Sequence, residues 1–151
     1  MSVNIQKYNL RLVKESGARY ELEDRIISHP QDAFKVFIEV ADLHLRTEEV
    51  MMMLALDSQN KLIGVFEVAV GSLTKNIASP REILKRAILC NAASIILGHN
   101  HPSESLKPSS EDIEFTETMM ESCQLMNISF FDHLIVAGKD KYLSLKFEDY
   151  I

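Results

Sequence analysis

Hydrophobic and polar positions along this chain recur with two periods, alternation every second residue and a repeat of about 3.6, which separate strands from helices. Between Val3 and Leu22, Ile5, Leu10, Leu12 and Val13 fall around Glu15-Ser16-Gly17, predicting two strands joined by a turn. His29-Pro30 opens a helix, because proline suits the first turn. Ala33, Phe34, Phe37, Val40 and Ala41 follow at helical spacing, to an end near Leu45. Glu49 to Leu56 reads as a strand, Asp57 to Asn60 as a turn and Leu62 to Val70 as the returning strand. The run Met51-Met52-Met53 lies inside that first strand and is expected to fill core.

The second half alternates helix and strand. Ser79-Pro80-Arg81-Glu82 has the form of a capping box, starting a helix that runs to about Asn91 on an apolar face of Ile83, Leu84, Ala87 and Ile88. Ala93 to Gly98 is short and wholly apolar, as strands in the middle of a sheet are. A loop from His99 to Pro108 leads to a helix beginning at Ser109 or Ser110, with Ile113, Thr116, Met119, Met120 and Cys123 turned inward. Ile128 to Ala137 and Tyr142 to Phe147 close the chain as a hairpin across Gly138 to Lys141. The expected class is α/β (α+β), helices packed on a mostly antiparallel sheet. Residues 1–25 read as a strand extension of one domain whose body is 26–151.

Composition adds limits on partners. The 151 residues carry a net charge of −6, with lysine and arginine scattered, so strong direct binding to DNA is not expected. No apolar run is long enough to span a membrane and no basic-then-apolar leader opens the chain, which predicts a cytoplasmic protein. Cys90 and Cys123 are too few and too far apart for a zinc ribbon and read as reduced core thiols.

The chemistry concentrates in Gly98-His99-Asn100-His101-Pro102. Histidines at i and i+2 of an extended segment face the same side and can aim both imidazoles at one point. Asp112, at the start of the next helix, supplies a third ligand, and three ligands with one open position make a catalytic zinc site. Each residue also has an ordinary reading: a surface His-Pro turn, an acidic residue favoured by the helix dipole, and for Ser109 a plain N-cap. Such a site needs a base, and Glu67, alone among apolar neighbours in Val65 to Val70, is the expected one; otherwise it is a solvent-facing strand residue. Glu48, Glu49 and Glu82 are weaker candidates, lying in a loop, at a strand start and in a cap.

Glu67, His99-Asn100-His101, Ser109 and Asp112 together resemble the JAMM (MPN+, JAB) metalloprotease motif. Gly71-Ser72-Leu73, Ser79-Pro80-Arg81-Glu82, Ala92 to Ser103 and Phe131 to Val136 are closest to its RadC branch. The resemblance implies a deaminase-like α/β/α JAMM fold and Zn2+ on His99, His101 and Asp112. It also implies Glu67 as base and Ser109 assisting the oxyanion. Two departures stand out: Glu104 occupies a position where RadC sequences usually have glycine, and the helix-hairpin-helix region of full-length RadC proteins is not found in this sequence. Asp132-His133 matches the branch and is expected to play a structural or ligand-supporting part.

The leading expectation is a zinc hydrolase cleaving a peptide or isopeptide bond in a protein or peptide substrate. The alternative is a DNA-repair or mobile-element accessory protein without direct catalysis, and a third is a silent interaction module, which the complete ligand set disfavours. Self-association is left open.

Overall fold

The order of elements follows from where apolar segments can be buried. A computed structural model describes residues 12–14, 17, 26–71 and 78–151. The expected strand pair between Val3 and Leu22 lies almost wholly outside them. The described elements are α1 (Pro30–Glu39), β1 (Val50–Leu56), β2 (Leu62–Val70), α2 (Pro80–Leu89), β3 (Ser94–Asn100), α3 (Ser110–Leu125), β4 (Ser129–Val136) and β5 (Tyr142–Ser144). The strands form one sheet in the order β2-β1-β3-β4-β5. Only β3 and β4 run parallel, joined by α3; the other three pairings are antiparallel. This is the mostly antiparallel sheet the sequence predicts, with the apolar β3 at its centre.

Alternation along the strands feeds two cores. Met52, Leu54, Leu56, Ile96, Leu134 and Val136 pack against Ala33, Phe34 and Phe37 of α1 on one face. Met51, Met53, Ala55, Ile95 and Leu97 pack against Ile83, Ala87, Met119 and Cys123 of α2 and α3 on the other. All three methionines of the 51–53 run are buried, serving both cores. The result is three layers, α1, sheet, then α2 and α3. Gly98 is where the first two meet most closely: a Cβ there would lie 2.5 Å from the Phe37 ring.

Several boundaries move. α1 ends at Glu39, not near Leu45, because Asp42 takes a left-handed conformation (φ 48°) and Leu43–Leu45 form a separate 3-10 turn. The Ser79 hydroxyl caps nothing; Glu82, its expected partner, is drawn to Lys85 at 2.7 Å and Arg86 at 3.1 Å. Ile88 and Met120 point outward, and α3 buries the narrower stripe Asp112, Thr116, Met119 and Cys123. β3 runs on through His99 and Asn100, so the loop starts only at His101. Cys90 and Cys123 are both free thiols.

Candidate metal centre

Alternation through β3 sets two tasks on one segment. His99 continues the row Ile95, Leu97 toward α2 and α3, while Gly98 and Asn100 face α1. His101, just past the strand end, falls on the side of His99, and the two Nε2 atoms stand 2.9 Å apart. Asp112 comes from the first turn of α3. Its Oδ1 lies 3.4 Å from His99 Nε2 and its Oδ2 3.6 Å from His101 Nε2. The three therefore form one metal-competent group, with donor atoms within 4.8 Å of one another.

The helix start delivers the carboxylate. Ser109 N–H donates to Asp112 Oδ2 (2.8 Å), the Ser109 hydroxyl donates to the same oxygen (2.7 Å), and Asp112 N–H donates back to Ser109 Oγ (3.1 Å). This is a capping box with aspartate at its third position. Ser109 thus orients the carboxylate, and its one hydroxyl proton is engaged there. His101 Nδ1–H donates to Ser105 O at 2.7 Å, which turns its Nε2 lone pair inward.

The donors suit a divalent ion. Ligands about 2.0–2.1 Å from a tetrahedral ion are about 3.3 Å apart, close to the separations of 2.9, 3.4 and 3.6 Å. Two imidazole lone pairs and a carboxylate facing one point repel each other unless a cation or a proton lies between them. Burial pushes His99 down to about 4, so it is neutral at pH 7. The Asp112 carboxylate, as acceptor for the protonated His101 ring, raises the His101 pKa against the opposing effect of burial. Burial works against the Asp112 charge, but His101, His99 and Ser109 outweigh it and hold the carboxyl well below its ordinary range. His99 is 1% exposed at its side chain and His101 12%, so the point opens on the His101 side.

Glu67, the residue the sequence offered as base, does not join this group. It pairs with Met52, on the α1 face of the sheet, and its carboxylate is 47% exposed and bonded to Arg46 at 2.8 Å. The carboxylate on the right face is Glu49, which the sequence reading set aside as a strand start. Met51 pairs with His99, so two residues further along the same register Glu49 falls on the side of His101. Glu49 is half-buried, and its charge helps raise the His101 pKa.

Asn100, between the two histidines, was also missed. Its Oδ1 accepts from Val50 N–H at 2.8 Å, and its Nδ2 donates to Glu48 O at 2.9 Å and Arg46 O at 3.1 Å. It therefore clamps the backbone on both sides of Glu49. A polar residue flanked by ligands at the end of an apolar strand was the available signal. The Asp132-His133 pair divides: Asp132 accepts from His133 N–H, Ser144 Oγ–H and Lys146 N–H, tying β4 to β5. His133 instead faces His99, with Nε2 2.8 Å from His99 Nδ1.

The family model described as "RadC-like JAB domain" matches residues 27–150. The chain belongs to the RadC-like JAB family. Among its relatives, a UPF0758 protein of Streptococcus suis is 40% identical over 121 residues, 80% of this chain and 48% of that protein. A UPF0758 protein of Clostridium perfringens is 39% identical over 129 residues, covering 85% and 56%. A third, from Actinobacillus pleuropneumoniae, is 41% identical over 149 residues, covering 96% and 66%. This RadC-like domain spans about half the length of the first relatives. Among its described residues no helix is long and apolar enough to cross a membrane.

Proposed function

We propose that this RadC-like JAB domain is a zinc-dependent hydrolase of a peptide or isopeptide bond. The observation that carries the reading is the convergence of His99 Nε2, His101 Nε2 and an ionised Asp112 on one point open to one side. A divalent ion held there supplies Lewis acidity, polarising a carbonyl and acidifying a water. His99, His101 and Asp112 hold the ion; Ser105 O and Ser109 keep His101 and Asp112 turned toward it. Glu49, rather than Glu67, is the proton carrier: it accepts a proton from the attacking water and returns it to the departing nitrogen, which an amide requires of its catalyst. Ser109 reaches an oxyanion only by releasing Asp112, so its role in this reading is to hold the ligand.

The test pairs metal analysis with turnover. Purified protein carries close to one zinc per chain, and His99→Ala abolishes it. On a peptide or isopeptide library, Glu49→Gln keeps the metal and loses about 10²–10⁴-fold in rate. Glu67→Gln stays within a few-fold of the wild type. Full activity in Glu49→Gln, or its loss in Glu67→Gln with metal retained, reverses the assignment. Metal that survives replacement of both histidines removes the reading altogether.

A further inference from the structure

Behind His99 the protein holds a chain of hydrogen bonds that the hydrolytic reading does not use. We infer that Thr116 and His133 are positioning residues that lock His99 in its Nδ1–H tautomer, leaving Nε2 as a bare donor aimed at the metal point. The inference rests on the metal reading above, since a bare Nε2 matters only if a cation binds there.

The direction of the chain follows from what each atom can give. The Thr116 hydroxyl donates to Asp112 O at 2.6 Å, and a carbonyl oxygen only accepts. The single hydroxyl proton is then spent, so Thr116 Oγ1 meets His133 Nδ1, also 2.6 Å away, as an acceptor. His133 Nδ1 must carry hydrogen, which leaves His133 Nε2 bare. That nitrogen lies 2.8 Å from His99 Nδ1, which must in turn be the donor. His99 Nε2 is left with a lone pair, and it is the atom that faces His101 and Asp112.

Reversing the chain at Thr116 reverses every member. His133 Nε2 would then donate to His99, and His99 Nε2–H would close the metal point. Thr116, His133 and His99 are all buried, so no exposed surface offers these groups replacement partners. The chain ends on the backbone of Asp112, so one ligand sets the tautomer of another across the gap between α3 and β3. The rings of His99 and His133 are tilted by 58° with centroids 4.8 Å apart, an approach through nitrogen atoms rather than ring faces.

Long-range ¹⁵N–¹H imidazole correlation on the metal-free protein at pH 8 reads the tautomers directly. The expected spectrum has protonated Nδ1 and bare Nε2 for both His99 and His133. In parallel, zinc affinity is measured by competition with a chromogenic chelator. Thr116→Val, close to threonine in shape, should lose about 10–100-fold, while Thr116→Ser, which keeps the hydroxyl, should stay near the wild type. A Val variant with lowered melting temperature and unchanged zinc affinity would mean a packing role and overturn the inference. So would the Nε2–H tautomer of His99 in a wild-type protein that binds zinc. Wild-type protein that binds no zinc, yet shows the Nδ1–H tautomer, would defeat the metal reading and leave the hydrogen-bond direction standing. If the Val variant fails to fold, the wild-type spectrum and the Ser variant still decide.

Discussion

Asn100→Ala separates the two faces of β3. Asn100 is 2% exposed and makes three hydrogen bonds to backbone, with Val50 N–H, Glu48 O and Arg46 O. Each such bond is worth about 0.5–1.5 kcal/mol net, and a buried backbone group left unpaired costs about 1–3 kcal/mol. Water entering the vacated space can re-pair some of these groups, so the expected loss is about 3 kcal/mol, a large part of the roughly 5–15 kcal/mol that holds a domain folded. Urea unfolding followed by circular dichroism should show a lower midpoint with unchanged slope. The melting temperature should fall by about 6–12 °C, given about 2–4 °C per kcal/mol at this size. Zinc binding should survive at temperatures where the variant is folded, because His99 and His101 project from the opposite face. Hydrolysis should fall, because the backbone around Glu49 is released. A loss below about 1 kcal/mol would show that the three bonds are not made in solution. Metal lost from folded protein would show that the two faces are not independent.

Three further outcomes follow from the same geometry. Ser109→Ala should cost about 1 kcal/mol as a lost N-cap and about tenfold in zinc affinity, read by unfolding and chelator competition; unchanged affinity with activity abolished would restore Ser109 to the oxyanion. Glu104→Gly should raise stability by about 0.5–1 kcal/mol, since relief of a left-handed residue (φ 58°) is worth about 1–2 kcal/mol and glycine gives back about half in chain entropy; a lower melting temperature would show that the Glu104 side chain earns its strained position. Zinc affinity should weaken as pH falls through the raised His101 pKa, by about one decade per pH unit, because the metal must displace one proton from that ring. Asp112, held well below its ordinary range, adds nothing to this slope, and His99 adds to it only near pH 4. A flat profile between pH 5 and 8 in chelator competition would refute the claim that His101 carries the displaced proton.

Most of the architecture was legible because burial and period agree along this chain. β3 is apolar on both faces because helices cover both, and the sequence shows that directly as Ala93 to Gly98. The grouping of His99, His101 and Asp112 was legible for a similar reason: i and i+2 on a strand, followed by a capped helix start, leave little freedom in where three side chains point. What the sequence did not show is the face on which Glu67 lies. β1 and β2 pair regularly through Met51 and Ala69, then slip at a bulge so that Met52 meets Glu67 and Val68 has no partner. Without the bulge Met53 would pair with Glu67, and the carboxylate would lie on the metal face. One inserted residue reverses the face of everything beyond it, and no alternation within a single strand reports it. Glu104 was legible only as a departure from family pattern, and its left-handed backbone gives that departure a physical meaning. Of the six non-glycine residues with positive φ among those described, the other five are asparagine or aspartate.

In the pentapeptide Gly98 to Pro102, Gly98 and Asn100 are as constrained as the two histidines. Gly98 lets the Phe37 ring close on β3, which fixes the strand against α1. Asn100 then uses that same face to grip the chain on either side of Glu49, the residue that precedes β1, whose carboxylate lies on the His101 side of the sheet. The odd positions, His99 and His101, supply lone pairs to the other face, where α3 supplies Asp112 and, through Thr116 and His133, a reason for His99 to keep its proton on the far nitrogen. A strand can serve both purposes because its side chains alternate, so strengthening one face does not move atoms on the other. The same alternation sets Glu67 apart from the histidines. It belongs to the face that holds the scaffold together, and its ion-pair partner Arg46 is also a residue whose backbone carbonyl Asn100 holds.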